Sequence, residues 1–160
     1  MPKKPESQIV LALDQMSKDR ALKIAEEAAG KVWGFKVYDL LFHYGAEIVY
    51  ELSRFGKVIA DARLQGSWDE MQRCIKIFRT AGADIITVSS YIGSNESSDD
   101  LAGVDLNYGY DVADFNSKIN FLVAKNGADL HVVGRPLVGA ENFLEEIERL
   151  NTKISGNTST

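Results

Sequence analysis

The chain has 160 residues, 45 % of them hydrophobic and 26 % charged, which suits one domain with a sizeable core and leaves little room for a second. Eighteen lysines and arginines against 23 aspartates and glutamates give a net charge of −5. That balance argues against a general nucleic-acid or anionic-membrane binder, though a local basic pocket can still hold a phosphate.

No apolar run is long enough to span a membrane, and the opening MPKKPESQ lacks the apolar stretch of a secretory leader. The single cysteine, Cys74, excludes an internal disulfide and any cysteine-based metal cluster. A soluble cytoplasmic protein is expected, with no membrane or nucleic-acid partner.

The first apolar run, IVLAL from Ile9 to Leu13, has no alternation. It reads as a strand covered on both faces, closed by Asp14. A helix is expected from Lys18 to Ala29, with Ser17 as its cap and Gly30 as its stop. The second strand is Trp33 to Val37. The helical stretch from Leu40 to Arg54 contains Gly45, a point where it can break in two. The third strand is Lys57 to Ala60, closing on Asp61. Ser67 and Glu70 form an S-x-x-E box ahead of a helix to Ala81, whose apolar face is Met71, Cys74, Ile75 and Phe78. Gly82 ends that helix, and Asp84 to Val88 is the fourth strand.

These strands begin at residues 9, 33, 57 and 84, in steps of 24, 24 and 27. Each step holds a strand, a helix and two short loops, the footprint of a repeated βα unit. Right-handed crossovers then give a parallel sheet whose C-terminal strand ends share one face. Asp14, Lys36, Asp61, Arg63 and Ser89 all fall at or beside such ends.

The rhythm breaks at residues 89–100, a polar loop containing SNESSDD. A short strand at Leu101–Leu106 and a helix capped by Asp111 or Asp114 and ending near Asn126 follow. Asp129 to Val133 reads as the last strand. Ala140 to Leu150 reads as the last helix. Residues 1–150 form one barrel-like unit, and 151–160 is expected to be a frayed tail. A complete (β/α)₈ barrel takes about 250 residues. The fold class is therefore α/β, a shortened TIM-barrel-like repeat with a mainly parallel sheet. An open sheet and a partial barrel completed by another copy remain alternatives.

Within VIADARLQG, residues 58–66, Asp61 and Arg63 stand two apart at a strand end and can pair. The pair either orients a polar ligand or is a structural ion pair at a rim. Lys36, inside GFKVYD, either meets Asp14 or Asp61 as a ligand contact or snorkels outward. In VVGRPLVGAEN, residues 132–142, Gly134 allows close backbone approach and Arg135 offers fixed donors, a candidate seat for a phosphate. His43 and His131 have no metal-ligand spacing, and no metal site is assigned. Cys74, Trp33, Trp68, Tyr38 and Tyr91 are read as packing residues.

Taken together, IVLALDQMSKDRALKIAEE, GFKVYDLLFHYGAEIV, KVIADARLQG, AGADIITVSSYIG and NGADLHVVGRPLVGAENF resemble the orotidine 5′-phosphate decarboxylase family and its wider superfamily of sugar-phosphate enzymes. The resemblance covers about two thirds of the chain. It implies a (β/α)₈ barrel that dimerises with active sites at the subunit interface. It further implies that Asp14 bonds ribose hydroxyls, that Lys36 and Asp61 belong to a charged catalytic network, and that Gly134 and Arg135 hold a 5′-phosphate. Ser89 joins them as a substrate-contact candidate. In the decarboxylase a lysine protonates the carbanion left when carbon dioxide departs from a pyrimidine. That branch uses no cofactor, whereas the sugar-phosphate branch uses Mg²⁺.

The family pattern D-x-K-x-x-D reads here as Asp61, Ala62, Arg63, Leu64, Gln65, Gly66. Arg63 takes the place of the proton-donor lysine, and Gly66 that of the second aspartate. Between SSYIG and NGADLHVV stand about 33 residues, fewer than several βα units need. The leading expectation is a nucleotide- or sugar-monophosphate site with decarboxylase-like lyase chemistry, Arg63 taking the third catalytic place beside Lys36 and Asp61. The alternatives are a non-enzymatic oligomeric scaffold and a Mg²⁺-dependent sugar-phosphate lyase or isomerase with Asp61 as its first ligand. The expected partner chain is a second copy, as a homodimer or other homo-oligomer.

Overall fold

The structure is a computed structural model that describes residues 7–88 and 130–156. The expected loop at 89–100, strand at 101–106 and helix ending at Asn126 lie outside the described residues, as do Ser89 and Tyr91. In chain order the elements are β1 (Ile9–Ala12), α1 (Lys18–Ala28), β2 (Gly34–Val37), α2 (Asp39–Tyr44), α3 (Ala46–Leu52), β3 (Lys57–Leu64), α4 (Trp68–Thr80), β4 (Ile85–Val88), β5 (His131–Val133), α5 (Arg135–Val138) and α6 (Phe143–Gly156).

The five strands form one parallel sheet in the order β4-β3-β2-β1-β5. The β1–β2–β3–β4 run follows from the repeated βα step, each crossover placing a strand beside its predecessor. The last strand returns to pair with the first, Val10 opposite Val132 and Leu11 opposite Val133. β1 is thus the middle of a β5-β1-β2 core.

Side chains alternate between the two faces of each strand. One set, Ile9, Leu11, Leu13, Phe35, Val37, Val58, Ala60, Ile86 and Val133, joins the core made with the helices. That core also takes Ala21, Ala25 and Ala28 from α1, Ile48, Val49 and Leu52 from α3, Met71 and Ile75 from α4, and Ile147 and Leu150 from α6. The small residues of α1 let it lie close on the sheet. The other strand face carries Val10, Ala12, Lys36, Ile59, Asp61 and Thr87, all buried but outside that core.

Local signals work as their chemistry requires. The Ser17 hydroxyl accepts from the Arg20 N–H at 3.3 Å and caps α1. Gly45, at φ +55, separates α2 from α3. The Glu70 carboxylate reaches back to the Ser67 N–H at 3.1 Å and hydroxyl at 2.7 Å, completing the capping box of α4.

Most boundaries shift by only a residue or so, but three differences change the architecture. β3 does not stop at Ala60: it runs to Leu64, with a register irregularity against β4 between Ala60 and Leu64. Asp61 and Arg63 therefore lie inside the strand. The chain after β5 makes the single turn α5 before α6, because Gly134 and Gly139 bracket RPLV and the Gly134 carbonyl accepts from both Leu137 and Val138. Lastly, α6 does not fray at Leu150 but continues to Gly156. Asn151 anchors this extension through the Ser7 hydroxyl at 2.8 Å and the Lys31 carbonyl at 3.1 Å, and Ile154 packs on the core.

Close packing of β2 on β3 leaves no room for a side chain at Gly34, where a Cβ would meet the Lys57 carbonyl oxygen at 2.2 Å. Gly34→Ala is expected to lower stability by about 2 kcal/mol or more, by forcing the two strands apart. Comparison of urea midpoints for the two chains checks this.

Candidate active site

The parallel sheet gathers its C-terminal strand ends along one rim. Lys36, the third residue of β2, is level with Ala12 on β1 and Ile59 on β3. Asp14 stands two residues past the end of β1 and Asp61 two residues along β3 from Ile59, on the same sheet face as Lys36 by alternation. The Lys36 ammonium donates to Asp14 Oδ2 at 2.7 Å and Asp61 Oδ2 at 3.3 Å. The side chain therefore does not snorkel outward but meets both carboxylates.

Arg63 continues the line. Its Nε donates to Asp61 Oδ1 at 3.3 Å and its Nη2 to Oδ2 at 3.2 Å. Its guanidinium also lies 4.2 Å from the centre of the Tyr38 ring, a cation–π contact. Asp14, Lys36, Asp61 and Arg63 thus form a row of alternating sign and zero net charge. Exposure is graded along it: Asp61 is fully buried, the Lys36 side chain is 9 % exposed, Asp14 27 % and Arg63 40 %. The buried middle fixes geometry, and the two ends are the more exposed.

Burial by itself raises the Asp61 carboxyl, since it penalises the charged form. The Arg63 hydrogen bonds, the Lys36 charge and the Thr87 hydroxyl together outweigh it, so the carboxyl ends below its ordinary value.

Asp14 has a second duty, since its Oδ1 accepts from the Tyr38 N–H at 2.9 Å. Asp39 reciprocates, its Oδ2 accepting from the Gln15 N–H at 2.8 Å while Gln15 sits at φ +60. Thr87, buried in β4, donates its hydroxyl to Asp61 Oδ1 at 2.9 Å and accepts the Arg63 N–H at 2.9 Å. Sequence reasoning passed over Thr87 and Asp39, and took Tyr38 for packing alone. The available signal was a polar residue inside IITV and a carboxylate two residues after a strand.

Gly134 follows β5 directly and a Cβ on it would lie 3.6 Å from Ala12, so the GRP turn borders the end of β1. Arg135 is exposed on that turn. His43 is exposed on α2, and His131 is buried at the start of β5. Cys74 is half-buried in α4. Gly66 lies at φ +153, and a Cβ there would be 3.2 Å from the Glu70 carboxylate. An aspartate at this position would crowd one carboxylate against another and disturb the capping box.

Asp61 is also a poor start for a Mg²⁺ site. Its two oxygens already receive Lys36, Arg63 and Thr87, and two of those donors are cations. Among the described residues no group of carboxylates, histidines or cysteines fits the metal that the sugar-phosphate branch implies.

Comparison with known proteins places these features in a family context. The profile of the orotidine 5′-phosphate decarboxylase / HUMPS family matches residues 7–99. The orotidine 5′-phosphate decarboxylase of Methanosarcina barkeri is 30 % identical over 167 aligned positions, which take in 97 % of this chain and 74 % of the relative. That of Methanosarcina mazei is 38 % identical over 106 positions, 65 % of this chain; the match spans 47 % of the relative's length. The crystal structure of the orotidine 5′-monophosphate decarboxylase from Methanocaldococcus jannaschii complexed with the inhibitor BMP superimposes with a TM-score of 0.66 at 22 % identity. The superposition covers 92 % of this chain and 98 % of that one. The fold is therefore α/β of the TIM-barrel type of these decarboxylases, with five parallel strands among the described residues.

Asp61→Asn leaves Lys36 and Arg63 facing a neutral group, and is expected to cost about 3 kcal/mol at neutral pH. Because the folded carboxyl titrates below the unfolded one, its stabilisation is complete above the unfolded value near 3.8 and is lost as pH falls through the folded value. Chemical denaturation at stepped pH should show the parent chain losing stability through that acid window, and Asp61→Asn losing less of it.

Proposed function

Because the chain belongs to the orotidine 5′-phosphate decarboxylase / HUMPS family, we propose that it binds a nucleoside monophosphate at the strand-end rim, without efficient decarboxylation. The observation that carries this reading is the alternating row Asp14, Lys36, Asp61 and Arg63, buried in its middle and open at its ends.

In this reading Asp14 takes ribose hydroxyls and Lys36 holds it in place. Gly134 and Arg135 receive the phosphate, with backbone approach on one side and a guanidinium on the other. Ser89, one residue past β4, is a further ligand contact. The active unit is a homodimer in which a second copy completes the pocket.

Chemistry is limited at Arg63. A leaving carboxylate departs as carbon dioxide and its electron pair stays on the ring carbon, which then needs a proton. A guanidinium keeps its proton at any ordinary pH, and this one is further held on Asp61 and the Tyr38 ring. Gly66 supplies no carboxylate opposite the departing group. Electrostatic complementarity therefore survives where proton delivery does not.

Calorimetry with uridine 5′-monophosphate tests the reading. The parent chain is expected to bind, and Arg135→Ala to weaken binding about tenfold or more. Unchanged affinity in that variant removes Arg135 from the site. No binding by the parent chain overturns the reading in favour of an oligomeric scaffold. Arg63→Lys restores a transferable proton and should raise decarboxylation of orotidine 5′-monophosphate about tenfold or more, measured by loss of substrate absorbance. No rise places the deficit at Gly66 and in the shortened part of the chain.

A further inference from the structure

Strand β3 carries extra chain where it pairs with β4. Ala60 is opposite Ile86 and Leu64 opposite Val88, so four residue steps on β3 meet two on β4. Thr87 is the β4 residue that faces this bulge.

At the bulge Arg63 adopts φ +47, a conformation that side-chain-bearing residues rarely take. The turn directs its N–H to Thr87 Oγ1, 2.9 Å away. The Thr87 hydroxyl in turn donates to Asp61 Oδ1 at 2.9 Å. Arg63 Nε returns to that same oxygen at 3.3 Å, which closes a ring of three hydrogen bonds. A threonine hydroxyl has one proton, so accepting from Arg63 leaves that proton for Asp61.

Burial and strand propensity alone are met equally well by valine, which has the same shape. Valine would leave the Arg63 N–H and an Asp61 oxygen each short of a partner from Thr87, and either shortfall is costly away from water. Among the described residues, Asp14, Lys36 and Arg63 are the charged groups that meet Asp61 directly or through Lys36.

We infer that Thr87 is a positioning residue: its hydroxyl pins the β3 bulge and thereby sets both the Asp61 carboxylate and the Arg63 guanidinium. For its ligand the inference rests on the nucleotide reading; for the bulge it rests on geometry alone.

The full chain is compared with Thr87→Val and Thr87→Ser. By NMR, Thr87→Val is expected to shift the Asp61 carboxyl titration upward and to lose protection of the Arg63 amide against exchange. Thr87→Ser keeps the hydroxyl and should restore both. Affinity for uridine 5′-monophosphate should fall about fivefold in Thr87→Val and recover in Thr87→Ser. A folded Thr87→Val with an unchanged Asp61 titration overturns the inference, even where the nucleotide still binds. A parent chain that binds no nucleotide overturns the ligand reading, while the two NMR measurements still decide Thr87. If Thr87→Val does not fold, the parent chain decides: an Arg63 amide that exchanges at the rate of an open chain overturns the clamp.

Discussion

An ammonium group taken out of water into the middle of a sheet must find anions there, and Lys36 finds two among the described residues. Its contacts with Asp14 and Asp61 tie the first three strands together at their C-terminal ends. This constrains register more tightly than apolar packing does. A slip of one residue in β2 would turn Lys36 toward the helices and bring Phe35 to the rim. The sheet order, the direction of its strands and the placement of the charged row all meet at this one nitrogen.

The two faces of the strands divide the labour. Ile9, Leu11, Phe35, Val37, Val58 and Ala60 hold the helices on. Lys36, Asp61 and Thr87 use the opposite face, where polar groups are tolerated because each has a partner. Such a division lets one face change its chemistry while the other keeps the fold. Arg63 illustrates this: it preserves the positive charge beside Asp61, so the row stays neutral with a guanidinium in it.

Much of this was legible in the residues themselves. IVLAL, the 24-residue step, Ser17, Gly45 and the Ser67–Glu70 box all act within a few residues of where they stand, and local chemistry determines them. The pairing of Lys36 with both aspartates was also within reach, because equal βα steps bring strand ends side by side. The length of β3 was not legible. Its extension depends on a bulge whose hydrogen-bond partner, Thr87, lies 24 residues away. The helical continuation to Gly156 depends likewise on Ser7 and Lys31, remote positions that meet Asn151 only after folding. Polar sequence such as NTKIS looks frayed until those partners are known. Thr87 escaped notice because a threonine inside an apolar strand satisfies β-propensity without any special role.

Asp14 and Asp39 exchange services across the rim: each carboxylate grips a backbone amide at the mouth of the other's strand. Two loops laced in this way are not independent levers. A molecule that tugs on either one strains the same knot, and the Lys36 ammonium tied into it is carried along. The rim is thus braced like a truss, a frame whose members yield together.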